Sequence, residues 1–312
     1  MPDRPTFSIV VAAHDAERTL PATIRSVLAQ TRDDFELFVV DDGSTDGTPH
    51  VLAAVEDERV VALRQENLGP AAARNAGIEL ASGEYVSILD SDDLWLPKYL
   101  ETMAHALESD PGAGLAYTDA WRLDDSTRRI HRRTIMFQQR PPRRPPRDPE
   151  ALLVELLERN FVYTSATVRR TLLREVGGFQ TLTRSEDYEL WLRIAASGRR
   201  FVNSGCVLAV YRDRPGSRIH DRMAMLEGQL EIYQHVLQTY ALTGPAREVA
   251  ARRAGEIARQ LDARRAASVD VDDGEDRRRP PVPVRRVARD VRLYRRRPPR
   301  AVAAAFPDLR LV

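Results

Sequence analysis

Hydrophobic and polar positions follow two alternating periods along the first hundred residues. Residues 7–12, 35–40, 60–63 and 85–89 are short, near-continuous apolar runs, the pattern of strands covered on both faces in a parallel sheet. Between them, 20–30, 48–55 and 70–80 carry apolar residues at helical spacing. Strand and helix in this rhythm predict an open α/β sheet, whose ligands bind beyond the carboxyl ends of the strands. After Glu108 the pattern loosens. Residues 114–118 predict a strand, 121–137 a charged hairpin, 149–159 a helix, 161–168 a strand and 186–197 an amphipathic helix. Residues 140–147 alternate arginines with proline pairs, which excludes helix and central strand and predicts an exposed loop, either a lid or an inert insertion. Residues 222–240 and 245–267 read as helices. An acidic stretch at 270–276 then meets an arginine- and proline-rich tail at 277–300, whose composition predicts disorder.

Composition narrows the function classes. With 43% hydrophobic and 30% charged residues among 312, the chain has enough apolar content for a large core and is not wholly disordered. The formal net charge is +1, so global charge gives no argument for a nucleic-acid partner. Lys98 is the single lysine among 47 basic residues, a bias that fits a coding preference better than dozens of anion sites. Cys206 stands alone, excluding an intrachain disulfide and a cysteine-rich zinc site and fitting a reducing cytoplasm. Residues 1–13 have neither a basic start nor a cleavage site and read as a strand, not a signal peptide. No run approaches the ~20 apolar residues of a membrane span. The expectation is a soluble, cytoplasmic protein. Peripheral contact with anionic lipid through the tail is the functional alternative to plain disorder. Tyr294 is the lone aromatic at 277–300, which argues against a stacking platform for nucleic acid.

Two strand ends hold the candidate chemistry. The second strand runs into Asp41-Asp42-Gly43-Ser44-Thr45-Asp46, and the fourth into Asp90-Ser91-Asp92-Asp93. Ser44 or Asp46 reads as a helix cap. Asp41 and Asp42 are harder to explain, because adjacent carboxylates at a buried strand repel and lose hydration. Three carboxylates within four residues at the mouth of a sheet suit a hard divalent cation, although Asp93 reads equally as the cap of a helix starting near Leu94, with Pro97 in its first turn.

Taken in order, these segments resemble the family 2 glycosyltransferases with their GT-A nucleotide-sugar-binding fold. The resemblance runs from Phe7 to about Tyr211. It rests on Ser8-Ile9-Val10-Val11-Ala12-Ala13-His14-Asp15 with Glu17, the Asp41–Thr48 run, Asn67-Leu68-Gly69-Pro70 leading to Ala73-Arg74-Asn75-Ala76-Gly77, and Ala81-Ser82-Gly83-Glu84-Tyr85 before the Asp90 cluster. Gly177-Gly178-Phe179 ahead of Ser185-Glu186-Asp187-Tyr188 completes it. The fold class it implies is α/β: a mostly parallel central sheet flanked by helices, with a helical and partly disordered C-terminal extension. The implied division is a glycosyltransferase domain at 1–215, donor half 1–108 and acceptor half 109–215, then a helical extension at 216–267 and a tail at 268–312.

By the same resemblance, Asp92 binds Mn²⁺ or Mg²⁺ with Asp90 nearer the ribose and metal shell. Asp42 accepts hydrogen bonds from the base, while Ala12, His14, Glu17, Arg74 and Ser91 line the donor pocket. His14 stands where the family usually has a tyrosine and could stack on the base in its place. Glu186-Asp187 matches the acidic pair that holds the general base, Asp187 first and Glu186 as alternative. The implied reaction moves a sugar from a nucleotide-diphosphate donor, with a lean toward UDP, to a hydroxyl of a glycan, lipid-linked or small-molecule acceptor, by single displacement with inversion. The alternatives are a non-catalytic scaffold, which the intact set Asp42, Asp90, Asp92 and Asp187 opposes, and a sugar nucleotidyltransferase. The latter needs a glycine-rich basic loop where this chain has His14-Asp15-Ala16-Glu17.

Overall fold

The computed structural model describes residues 5–136, 144–163, 165–217, 220–269 and 310–311. Residues 140–143 of the proline–arginine loop and 270–309 of the tail lie outside them. Strands β1 (Phe7–Ala13), β2 (Phe35–Asp42), β3 (Val60–Gln65) and β4 (Tyr85–Asp90) form a parallel sheet in the order β3-β2-β1-β4. Helices α1 (Leu20–Leu28), α2 (Thr48–Ala53) and α3 (Pro70–Leu80) are its crossovers. Period-2 alternation divides the core between two faces. Ile9 and Val11 join Leu20, Ile24 and Val27 of α1, whereas Val10 joins Ala71 and Ile78 of α3.

The second half mixes directions. After β5 (Leu94–Trp95) and α4 (Tyr99–Ser109), the long β6 (Ala113–Asp124) turns into β7 (Arg129–Thr134), the expected hairpin. Helix α5 (Pro149–Glu158) precedes β8 (Ala166–Arg169), which lies antiparallel between β4 and β6. Helices α6 (Arg170–Glu175) and α7 (Glu186–Ala196) then lead to β9 (Arg200–Asp213), parallel to β6 and antiparallel to β5. The curled sheet is completed by β10 (Arg310–Leu311), two residues of the tail paired parallel to β7.

Two expectations need correction. Asp93 does not cap a helix at Leu94: its Oδ1 accepts from the Arg212 backbone N–H at 2.9 Å, and Leu94 and Trp95 pair with Val210 and Ala209. Pro97 disfavours helical geometry at Leu96, so α4 starts only at Tyr99, whose ring stacks on Trp95 at 3.8 Å between centroids. The strand expected over 161–168 contracts to Ala166–Arg169. Strand β9 had no clean alternation to reveal it, because Asn203-Ser204-Gly205 interrupts the apolar run, Gly205 takes φ +69°, and the pairing with β6 shifts register there.

Helices α8 (Arg222–Thr239) and α9 (Gly244–Val269) follow β9. Ile232, Val236, Ala250, Ile257 and Leu261 are buried in the same cluster as Leu152 and Leu156 of α5 and Leu190 of α7. The hydroxyls of Tyr188 and Tyr233 donate to the carbonyls of Leu156 and Leu157, both at 2.7 Å. Among the described residues no helix is long and apolar enough to cross a membrane.

Candidate active site

The two acidic strand ends differ in what holds them. At the end of β2, Asp41 Oδ1 accepts from Ser44 N at 2.9 Å and Oδ2 from the Arg64 guanidinium at 2.8 Å. Asp42 Oδ1 accepts from Gln65 Nε2 at 2.7 Å and Leu68 N at 2.9 Å, and Oδ2 from Gly69 N at 2.9 Å. Each of these partners is a hydrogen-bond donor, which answers why two adjacent carboxylates tolerate burial. Gly43, at φ +71°, lies so close that an added Cβ would fall 2.7 Å from Asn67 N, fixing glycine at this turn.

The loop after β1 is knitted to the same turn. Asp15 Oδ1 accepts from Thr45 N at 2.8 Å, and Glu17 Oε2 from Gly47 N at 2.8 Å. His14 Nδ1 donates to the Asp42 carbonyl at 2.8 Å. A carbonyl only accepts, so Nδ1 is the donor here, and Nε2 lies 3.4 Å from Asn67 Nδ2 and 3.5 Å from Asp15 Oδ2. Asp46, not Ser44, braces the start of α2, accepting from Thr48 N at 2.9 Å.

The end of β4 is held from distant elements. Thr23 of α1 donates to the carbonyls of Ser91 (3.0 Å) and Asp93 (2.9 Å). Arg212 of β9 donates through Nε to the Asp92 carbonyl at 2.7 Å. The carboxylates themselves meet arginines: Asp90 Oδ1 accepts from Arg74 at 2.8 Å, and Asp92 Oδ2 lies 2.9 Å from Arg214 Nε. Burial, then the charge of Asp90, pushes the Asp92 carboxyl above the usual carboxylate range, and burial with both neighbouring aspartates pushes Asp93 higher still.

The acidic pair opens α7 behind Ser185, a non-glycine residue at φ +58°. Arg74, buried on α3, donates to Glu186 Oε1 at 2.5 Å as well as to Asp90, so one guanidinium joins the two clusters. Burial opposes its charge, but Asp90 and Glu186 outweigh burial and hold its pKa above the ordinary value. Burial and then Glu186 push Asp187 up to about 7, against the pull of Arg74. A carboxylate near neutrality is a competent proton acceptor at working pH. Supporting contacts fix the pair from behind. Glu189, fully buried, binds Arg193 (2.9 and 2.8 Å) and the Tyr240 hydroxyl (2.6 Å). Asn75 of α3 makes two 2.8 Å bonds with the backbone of Phe179.

A cavity of about 500 Å³ gathers Ala12, Arg74, Asp90, Ser91, Asp92, Glu186 and Asp187. His14, Glu17 and Asp42 are not in its lining; they stand at the adjoining β1 and β2 ends. The cavity adds residues that sequence reasoning missed: Arg122, Asn160, Tyr163, Arg184, Tyr211 and Arg214. Only Arg184, two residues before Glu186, had a local signal. The others sit on the long mixed strands or on loops without a motif. His220 lies outside this lining, with Nε2 2.8 Å from Asp213 Oδ1.

Among the described residues no three His, Cys, Asp or Glu converge as a cage for a metal. Asp90 and Asp92 nonetheless fit a divalent cation of the Mg²⁺ type, which takes one or two carboxylates and completes its shell with phosphate oxygens and water. Their side chains are 29% and 20% exposed into the cavity, and their mutual repulsion is what a cation would relieve.

The chain matches the family model described as Glycosyl transferase family 2 over residues 8–177. Similar proteins include the UDP-Glc:alpha-D-GlcNAc-diphosphoundecaprenol beta-1,3-glucosyltransferase WfaP of Escherichia coli, 28% identical over 67% of this chain and 78% of that protein. The succinoglycan biosynthesis protein ExoO of Rhizobium meliloti is 33% identical over 80% of this chain and 73% of its own length. The fold matches S. aureus TarS 1–349 in complex with UDP-GlcNAc (TM-score 0.63, 18% identity, 85% of this chain and 76% of that one). It also matches the mannosyltransferase PcManGT from Pyrobaculum calidifontis in complex with GDP-Man and Mn²⁺ (TM-score 0.62, 21% identity, 86% and 76%).

Proposed function

Because the chain belongs to glycosyl transferase family 2, we propose that it moves a sugar from a nucleotide-diphosphate donor, UDP before GDP, to an acceptor hydroxyl, with Mn²⁺ or Mg²⁺ at Asp90 and Asp92 and Asp187 as general base. The observation that carries this reading is that Arg74 ties Asp90 to Glu186 within one cavity, so that cation-binding and proton-accepting carboxylates face the same space. When bound, the cation offsets the negative charge that gathers on the diphosphate as it leaves.

The chain's own residues supply the rest. The diphosphate lies at the end of β4 beside Ser91, and the small side chain of Ala12 leaves room for the donor over the end of β1. The base reaches toward His14 and the Asn67–Leu68–Gly69 turn that Asp42 holds. The acceptor lies against Tyr163, Tyr211 and Asn160. Its hydroxyl oxygen forms a bond to the anomeric carbon as the bond from that carbon to the diphosphate oxygen breaks, the electron pair leaving with the diphosphate. The hydroxyl proton passes to Asp187. Attack opposite the leaving group inverts the anomeric centre without a covalent glycosyl-enzyme. Glu186, paired with Arg74, lies beside Asp187 and helps keep it basic. The acceptor class is a glycan, a lipid-linked sugar or a small-molecule hydroxyl. WfaP, which by its name acts on a diphosphoundecaprenol-linked sugar, favours the lipid-linked case. A lipid-linked acceptor would bring the cytoplasmic enzyme to a membrane face, where the basic 277–300 tail gives peripheral contact.

The test is nucleotide release from a panel of UDP- and GDP-sugars, with and without Mn²⁺, in wild type and Asp92→Ala. The expected result is cation-dependent release that falls by about 10²–10³ in the variant. Release independent of both the cation and Asp92 contradicts the reading.

A further inference from the structure

Arg212 and Arg214, two residues apart at the end of β9, both reach the Asp90–Asp93 turn, but in different ways. The Arg212 side chain is 5% exposed and bound on several sides: Nε to the Asp92 carbonyl at 2.7 Å, Nη1 to Asp125 at 2.6 Å, and its backbone N–H to Asp93 at 2.9 Å. It clamps the backbone of the turn. Arg214 meets the Asp92 carboxylate itself through one nitrogen, with its side chain 39% exposed and in the cavity lining. The residue between them is tethered too: Asp213 binds both nitrogens of an Arg122 fork and, at 2.8 Å, His220. Beyond Arg214 the chain turns through Pro215 and Gly216, the latter at φ +79°. Arg214 is thus a loosely held cation on a fixed mount, pointed at one of the two carboxylates that the proposed function gives to the metal.

We infer that Arg214 is a built-in competitor for the cation site: it neutralises Asp92 while the donor site is empty, and cation binding displaces it into the cavity. The inference rests on the reading of Asp92 as a metal ligand. Two positive groups cannot share Asp92 Oδ2 at contact distance without repulsion, so each weakens the other. The displaced guanidinium stays on the wall beside the diphosphate, whose charge grows beyond what a single divalent cation cancels once the bond to the sugar breaks, and a planar fork suits phosphate oxygens. Removing Arg214 therefore has opposite effects on two affinities. The bare cation binds tighter, and the nucleotide diphosphate, at saturating cation, binds weaker. A residue needed only for folding would lower both.

The experiment is Mn²⁺ titration of the full chain followed by electron paramagnetic resonance, without nucleotide, for wild type, Arg214→Ala, Arg214→Lys and Asp92→Asn. UDP calorimetry at saturating Mn²⁺ follows on the same samples. The expected result is Mn²⁺ affinity about tenfold higher in Arg214→Ala, intermediate in Arg214→Lys and lost in Asp92→Asn, with UDP affinity about tenfold lower in Arg214→Ala. Unchanged or weaker Mn²⁺ binding in Arg214→Ala, with Asp92→Asn still defective, overturns the competitor role and leaves the metal site standing. Equal Mn²⁺ binding by Asp92→Asn and wild type overturns both.

Discussion

The ends of β2 and β4 look alike as sequence and behave differently as structure. Each is an aspartate cluster at the carboxyl edge of a buried parallel strand. At β2, Asp41 and Asp42 accept from backbone amides of Ser44, Leu68 and Gly69 and from two neighbouring side chains. At β4, Asp90 and Asp92 accept from no backbone amide of another segment among the described residues. They meet Arg74 and Arg214, side chains from α3 and from the end of β9. A carboxylate committed to backbone amides shapes the loops that carry them. One balanced against a removable cation can trade it for a ligand. The identity of the partner, more than the count of acidic residues, separates an architectural cluster from a chemical one.

The contrast is sharpest at Asp187, a carboxylate of the β4 side that holds a proton near neutrality. Asp187→Asn is expected to lower turnover by roughly 10²–10⁴ while leaving cation-dependent UDP binding in place. In wild type the rate should rise with pH through about 7 as this group ionises. Its folded pKa is above the unfolded value, so the native state holds more protons between about pH 4 and 7, and stability falls as pH rises through that window. Asp187→Asn should therefore melt higher than wild type at pH 8, and the gap should close toward pH 4. A variant that melts lower at pH 8 breaks this part of the contrast.

Next in size is Arg74→Ala. It leaves Glu186 buried without its guanidinium and frees Asp90, and breaking a buried pair from one side costs about 3–5 kcal/mol. Chemical denaturation should register that loss, and turnover should fall with it. Unchanged stability would mean that Arg74 does not join the two clusters. The smallest effect belongs to the β2 side. Asp42→Ala should cost about 1–3 kcal/mol through the stranded amides of Leu68 and Gly69, weakening nucleotide binding without removing its dependence on the cation.

Much of this was legible in the sequence where periodicity and motif coincide. The four parallel strands and α3 fall within two residues of their expected bounds, because continuous apolar runs and helical spacing are local signals. Asp90, Asp92, Glu186 and Asp187 were legible as a set through their order along the chain. The bridge was not: Arg74 and Glu186 are 112 positions apart, and nothing local tells which carboxylate a guanidinium will find. Arg122, Tyr211 and Arg214 were hidden for a different reason. Arg122 lies on β6 and the other two at the end of β9, so their meeting in one cavity depends on how these two strands pair, and in β9 the glycine at 205 also breaks the alternation that would have marked a strand. Asp42 was legible as a carboxylate at the right place, but its three hydrogen bonds to Gln65, Leu68 and Gly69 depend on how a loop twenty residues on folds back.

The most direct test of the division between the two clusters is calorimetric titration of UDP and GDP, with and without Mn²⁺, into wild type, Asp92→Asn and Asp42→Asn. Mn²⁺ is expected to strengthen binding in wild type and in Asp42→Asn and to have no effect in Asp92→Asn. An Mn²⁺ effect that survives in Asp92→Asn and is lost in Asp42→Asn would contradict that division.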